Sequence, residues 1–206
     1  MEDNEKTTLR GITVAVGYGW QIFDESEPSN KDKKSNGYEV LYDEFWKSIK
    51  SKFKPKCEGI EKSLNAKISF KRLRASHGKL VWESILKNIN NADVLIFDVA
   101  AAPKAKDMPK DWSNIKDVIL SLNYNVLVEI GVAFGLDKRV VLMCPNHLFD
   151  EVPSDLKGYL WTTYTGEISK EGFKRCFCDE RGVQNAFMGM LREAIREKNK
   201  EVEIEE

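Results

Sequence analysis

Residues 123–139 read NYNVLVEIGVAFGLDKR, a run of apolar and small side chains with one carboxylate, Glu129, at its centre. At helical spacing Val126, Ile130 and Phe134 share a face, which predicts an α-helix. Gly131 and Gly135, four residues apart, fall on one stripe and would let that helix approach a sheet closely. A helix that is apolar on every side is expected to be buried. Burial strips water from a carboxylate and disfavours its charged form, so the Glu129 pKa should rise unless a partner compensates. Asn125, one turn earlier, is placed to hold its oxygens. A carboxylate in such a pocket suits a nucleophile or a general acid/base. The alternative is a structural carboxylate, with its head in water at the helix rim or bound to a neighbouring backbone group.

Working outward, residues 92–100 (ADVLIFDVA) carry the strongest strand signal, and their continuous apolar core implies helices on both faces of a sheet. Asp98 lies near the C-terminal end of this strand, where ligands bind in open α/β sheets. It is either a ligand contact or the N-cap of the next segment. Residues 12–16 (ITVAV) predict a first buried strand that runs into Gly17-Tyr18-Gly19-Trp20. Gly17 and Gly19 permit a tight turn and close approach of a ligand to the backbone. Tyr18 either meets that ligand or covers the sheet edge. Residues 67–73 (KISFKRL) alternate apolar and charged side chains, as in a strand near the sheet edge. Residues 138–143 and 160–164 supply a fourth strand and a fifth, last one.

Helices are predicted over residues 38–53, ended by Lys54-Pro55, over 80–90, and over 183–198. Ser76 is the N-cap expected for the second of these. With His77, Gly78 and Lys79 it forms either an anion site at a helix start or an ordinary cap beside an exposed histidine. Strands alternating with helices predict an α/β fold, a flavodoxin-like or Rossmann-like three-layer sandwich with a mostly parallel five-stranded sheet. The expected strand order is 2-1-3-4-5, with the site beside strands one and three, where the order reverses. That topology would bring Tyr18, Asp98 and the start of the Glu129 helix to one rim.

The 206 residues suit a single domain with a polar surface loop at 25–37, an inserted segment at 101–122 and a charged C-terminal helical tail. A net charge of -1 argues against nucleic acid as a partner. No apolar run reaches the roughly 20 residues that span a bilayer, so a cytoplasmic protein without a membrane partner is expected. The chain has four cysteines and two histidines, and Cys176-x-Cys178 is not a zinc-ligand spacing, so no metal site is expected.

The segment Asn-Ala-Asp-Val-Leu-Ile-Phe-Asp (91–98), followed by Asn-x-Asn-Val-x-x-Glu-x-Gly-x-Ala-x-Gly-x-x-Lys (123–138), resembles the nucleoside 2-deoxyribosyltransferase-like superfamily. It is similar also to TIR-like nucleotide-binding proteins, in which a segment like Pro-x-Asp-Leu-Lys-x-Tyr (153–159) with Tyr164 recurs. The resemblance spans roughly residues 76–164. It implies N-glycosidic chemistry on a nucleoside or nucleotide, with Glu129 as nucleophile at the anomeric carbon. Asp98 would assist or hold the leaving base, and Tyr18 would orient Glu129 or the sugar. Gly17, Gly19, Ser76, His77, Asn123 and Asn125 are the candidate substrate-binding residues. No cofactor is implied, and NAD, if bound, would be substrate.

The first loop lacks the Gly-Pro step typical of deoxyribosyltransferases, and the 101–122 link is longer than usual. Both favour hydrolysis of a larger nucleotide such as NAD over plain deoxyribosyl exchange. The resemblance also implies a homo-oligomer or a partner protein, and a role as a defence effector. The alternative is a non-catalytic nucleotide-sensing module that signals to a partner. A third reading is an interaction protein that uses the Trp112 segment as its contact surface.

Overall fold

The long apolar runs become the centre of the molecule. In the computed structural model, described for residues 10–18, 37–73, 81–101, 121–159, 161–169 and 172–205, every side chain from Val94 to Asp98 is buried. A strand with both sides covered needs a layer of helices on each face. The chain runs β1 (Arg10–Tyr18), α1 (Gly37–Ser63), β2 (Ala66–Arg72), α2 (Val81–Asn90), β3 (Val94–Asp98), β4 (Ala100–Ala101), β5 (Ser121–Leu122) and α3 (Tyr124–Gly135). It continues through β6 (Arg139–Pro145), a 3-10 turn (Asn146–Glu151), α4 (Ser154–Lys157), β7 (Trp161–Ser169), β8 (Gly172–Phe177) and α5 (Glu180–Glu205).

The main sheet has six strands in the order β2-β1-β3-β6-β7-β8. The first five are parallel and follow the expected 2-1-3-4-5 pattern, so the fold is a Rossmann-like α/β sandwich. The sixth, β8, folds back antiparallel on β7 and lies beyond the five strands expected. Its sequence, GFKRCF, hides it: consecutive cations, Lys174 and Arg175, place a charge on each face and erase the apolar alternation. The ends of the long 101–122 segment pair antiparallel, Ala100 with Leu122 and Ala101 with Ser121. Residues 102–120 lie outside the described residues, as do Gly19, Ser76, His77 and the 25–36 part of the first loop.

Side chains alternate across a strand, so contacts assign each helix to a face. Phe70 of β2 lies 6.3 Å from Phe187 of α5, and Phe177 of β8 lies 6.3 Å from Phe53 of α1. Phe53 and Phe187 meet edge-on at 4.9 Å. Thus α1 and α5 cover one face. Right-handed crossovers put α2 and α3 on the other, where α3 touches β1, β3, β6 and α2.

The helix α1 does not end at Pro55 but runs through it to Ser63. A proline inside a helix removes one hydrogen bond and costs about 3 kcal/mol. Here the stripe Ile49, Phe53, Cys57 and Ile60 is buried on both sides of the proline, and burial of such side chains at about 1.5–3 kcal/mol each outweighs that cost. Among the described residues no helix is long and apolar enough to cross a membrane.

At the end of β1, Gly17 packs where no side chain fits. A Cβ there would sit 2.5 Å from Phe97 Cδ1 and 3.0 Å from Leu73 Cδ1. Phe97 is fully buried in β3 and has nowhere to retreat. Gly17→Ala is therefore expected to lose about 1–3 kcal/mol in denaturant unfolding. Gly11→Ala, where nothing lies within 4 Å, should stay within about 0.5 kcal/mol of the parent.

Candidate active site

The Glu129 helix is hung from the carboxyl end of the sheet by a short chain of backbone bonds. Val99, just past β3, donates to the Met143 carbonyl at 3.1 Å, and its own carbonyl accepts from Asn123 N at 2.8 Å. Asn123 is the N-cap of α3, and its side-chain oxygen accepts from Asn125 N at 3.0 Å and Val126 N at 3.3 Å. A short polar side chain at this position satisfies amides that the first turn leaves without partners. Six residues on, and roughly 9 Å along the axis at 1.5 Å per residue, comes Glu129.

The inward face of α3 is Val126, Glu129, Ile130 and Ala133. Glu129 is 3% exposed. Burial alone pushes its pKa up to about 7, with no cation or hydrogen-bond donor among the described residues contributing. The expected rise is therefore present, whereas the expected partner is not. Asn125 is exposed, and no hydrogen bond joins its side chain to Glu129 among the described residues.

The helix is not buried all round. Tyr124 is 74% exposed and Val128 55%, and Gly131 and Gly135 lie on that same outer stripe with open space beside them. The two glycines face away from the sheet and allow no closer approach to it. A three-layer sandwich buries only the sheet-facing side of an outer helix, and an apolar outer side does not supply its own cover.

On the opposite face of the sheet sits a second buried carboxylate. Asp98, the last residue of β3, is fully buried. Arg175 of β8, equally buried, donates to its Oδ2 from Nε at 2.8 Å and from Nη2 at 2.5 Å. The Tyr164 hydroxyl of β7 lies 2.9 and 2.8 Å from the two carboxylate oxygens, and Ala100 N donates to Oδ1 at 3.0 Å. The guanidinium carbon is 5.2 Å from the centre of the Tyr164 ring. Burial, and then the Asp98 charge, raises the Tyr164 pKa well above its ordinary value, so the phenol stays protonated and donates. In this structure Asp98 is thus the enclosed counter-ion of Arg175.

Tyr18, in register with Asp98, is buried at the end of β1 on that same face. The three residues expected at one rim therefore divide. Tyr18 and Asp98 lie under the α1 and α5 layer, and Glu129 lies under α3 on the other side. Gly17 meets Phe97 and Leu73 and so is closed off by the core. Arg72, at the carboxyl end of β2, holds its guanidinium 5.0 Å from the Trp46 ring of α1 and brings a cation to this end of the sheet.

Arg175 escaped the sequence reading. The only signal for it was indirect: an Asp inside an otherwise apolar strand requires a cation or donors somewhere in the fold. Among the described residues no group of three His, Cys, Asp or Glu side chains is placed to hold a metal ion. No protein-family model matches the chain, and no curated protein matches it in sequence.

The Glu129 shift has a measurable sign. Unfolded, the carboxyl titrates near 4.5, and folded near about 7. Between those values the folded state keeps a proton that the unfolded state has released, so this group's contribution to stability falls as pH rises. Above the upper value the loss is about 3 kcal/mol. Glu129→Gln carries no such penalty. Thermal melts should show it more stable than the parent at pH 8, with the gap narrowing steadily toward pH 4.5.

Proposed function

We propose that the protein cleaves the N-glycosidic bond of a nucleoside or nucleotide, NAD or a related nucleotide in the first place, with Glu129 as the nucleophile. The observation that carries this reading is the Glu129 carboxyl itself. It is buried on the inward face of a helix that starts at the carboxyl ends of parallel strands, and among the described residues no cation offsets the effect of that burial. In open α/β sheets ligands lie at this end, beside the strands where the order reverses, here β1 and β3. The similarity of residues 91–98 and 123–138 to nucleoside-processing enzymes supports the same chemistry.

The reaction balances without a cofactor. An oxygen of ionised Glu129 attacks the anomeric carbon, and the carbon–nitrogen bond breaks with its electron pair leaving on the base. From NAD the departing group is a pyridinium that becomes neutral nicotinamide, so no proton need be delivered to it. Water then attacks the anomeric carbon of the glycosyl ester, loses a proton and frees the carboxylate. A desolvated carboxylate close to the developing positive charge of the sugar stabilises the transition state more than the same group in water would.

Incubating the purified protein with NAD, NADP, ATP, nucleoside monophosphates and deoxynucleosides, with chromatography of free base, tests the proposal. Base release is expected from the parent and should drop by at least about a thousandfold in Glu129→Gln, as for loss of a covalent nucleophile. The rate should rise with pH through about 7, as Glu129 ionises. Turnover undiminished in Glu129→Gln would overturn the nucleophile assignment. Stoichiometric binding of a panel member that is recovered intact would instead favour a nucleotide sensor.

A further inference from the structure

The ion pair between Asp98 and Arg175 is an expensive way to hold a core together. Each buried ion loses several kcal/mol of hydration, and a pair of well-packed apolar side chains often serves stability equally well. What the pair does that apolar residues cannot is direct hydrogen bonds. Asp98 is held by two donors of Arg175 and by the Tyr164 hydroxyl, and it turns its Oδ1 onto Ala100 N, two residues along the chain. That contact fixes the backbone at the point where β3 ends. The peptide between them carries the Val99 carbonyl, which receives Asn123 N, and Asn123 caps the helix bearing Glu129. Leu122, next to Asn123, pairs with Ala100 in the small antiparallel ladder. From Arg175 to Asn123 each step is one hydrogen bond or one or two peptide units, and from Asn123 to Glu129 the link is a single capped helix.

We infer that Arg175 is a positioning residue for Glu129, acting through Asp98, the end of β3 and the Asn123 cap. The inference rests on the reading of Glu129 as the reacting carboxylate. Arg175 stands on the far face of the sheet, in the edge strand β8, and does not touch Glu129. It sets where the start of α3 sits over the sheet, and so how completely the Glu129 carboxyl is closed off from water. The Tyr164 hydroxyl does the same to a lesser degree, because it shares the two Asp98 oxygens without neutralising them.

The sign of the effect separates this role from simpler ones. The rise in the Glu129 pKa comes from lost water, and no charged group of β1, β3, β6 or α2 contributes to it. If removing Arg175 loosens the α3 start, water reaches Glu129 and its pKa falls toward 4.5. If Arg175 acted directly by its charge, its loss would raise that pKa. If it served only to stabilise the core, the melting temperature would fall and the Glu129 titration would stay where it is.

The test is a carboxyl-carbon NMR titration of protein labelled with 13C-glutamate, free of ligand, with the Glu129 signal assigned by its disappearance in Glu129→Gln. Arg175→Met, Arg175→Lys and Tyr164→Phe are compared with the parent. The parent midpoint is expected near about 7. Arg175→Met should lower it by about one pH unit or more, Tyr164→Phe should lower it less, and Arg175→Lys should recover most of the parent value. Base release should fall roughly a hundredfold in Arg175→Met at pH 8, where Glu129 is ionised in both proteins.

A midpoint unchanged or raised in folded Arg175→Met overturns the inference. Should that variant not fold, an unchanged or raised midpoint in Tyr164→Phe overturns it equally. Because the titration is read without substrate, a parent protein that releases no base while its variants shift as expected fails the glycosidase proposal and leaves the positioning role standing.

Discussion

A carboxylate at the last residue of β3 has no access to water, and the carboxyl end of the sheet is built around that constraint. An unpaired buried charge is among the most unfavourable features a fold can contain, so Asp98 requires donors close by. Tyr164 of β7 and Arg175 of the antiparallel strand β8, two and three strands along the sheet from β3, reach across to provide them. The same carboxylate turns back to its own backbone at Ala100, and the residue between them anchors the start of α3. Sheet edge, helix cap and the position of Glu129 thus share one electrostatic requirement.

Glu129 meets the opposite condition. It too is buried, yet among the described residues only loss of water acts on its pKa, which is left near neutrality, at about 7. The two carboxylates lie on opposite faces of one sheet and are treated differently. One is neutralised and locked, which suits architecture. The other is destabilised when ionised, which suits a group that must give up its charge to a bond. The contrast between them is stronger support for chemistry at Glu129 than burial of either alone.

Much of this arrangement was legible in the chain. The apolar runs ending at Val16, Ala100 and Met143 predict central strands, and each is one. The expected parallel order 2-1-3-4-5 is the one that the first five strands of the sheet adopt. The raised pKa of Glu129 follows from a carboxylate among Val126, Ile130 and Ala133. Pro55 misled because a proline's local penalty is read more easily than the stripe of Phe53, Cys57 and Ile60 that overrides it. The outer side of α3 misled because apolar composition measures what a helix can bury and not what the fold places over it.

The sequence by itself determined the layered α/β class and the central strands, because periodicity and hydropathy are local properties of the chain, whereas it left open whether Glu129 is buried or keeps its head in water, and the fold decided that. Tertiary structure alone decided which residues surround Asp98. Arg175 lies 77 positions away in sequence, and Tyr164 lies 66 positions away. A buried carboxylate states in the sequence that it needs donors, but their identity depends on which strands the sheet brings alongside. It was also the fold that set Tyr18 and Asp98 on one face and Glu129 on the other, since a side chain's face follows from register and crossover hand, and neither is written in any single segment.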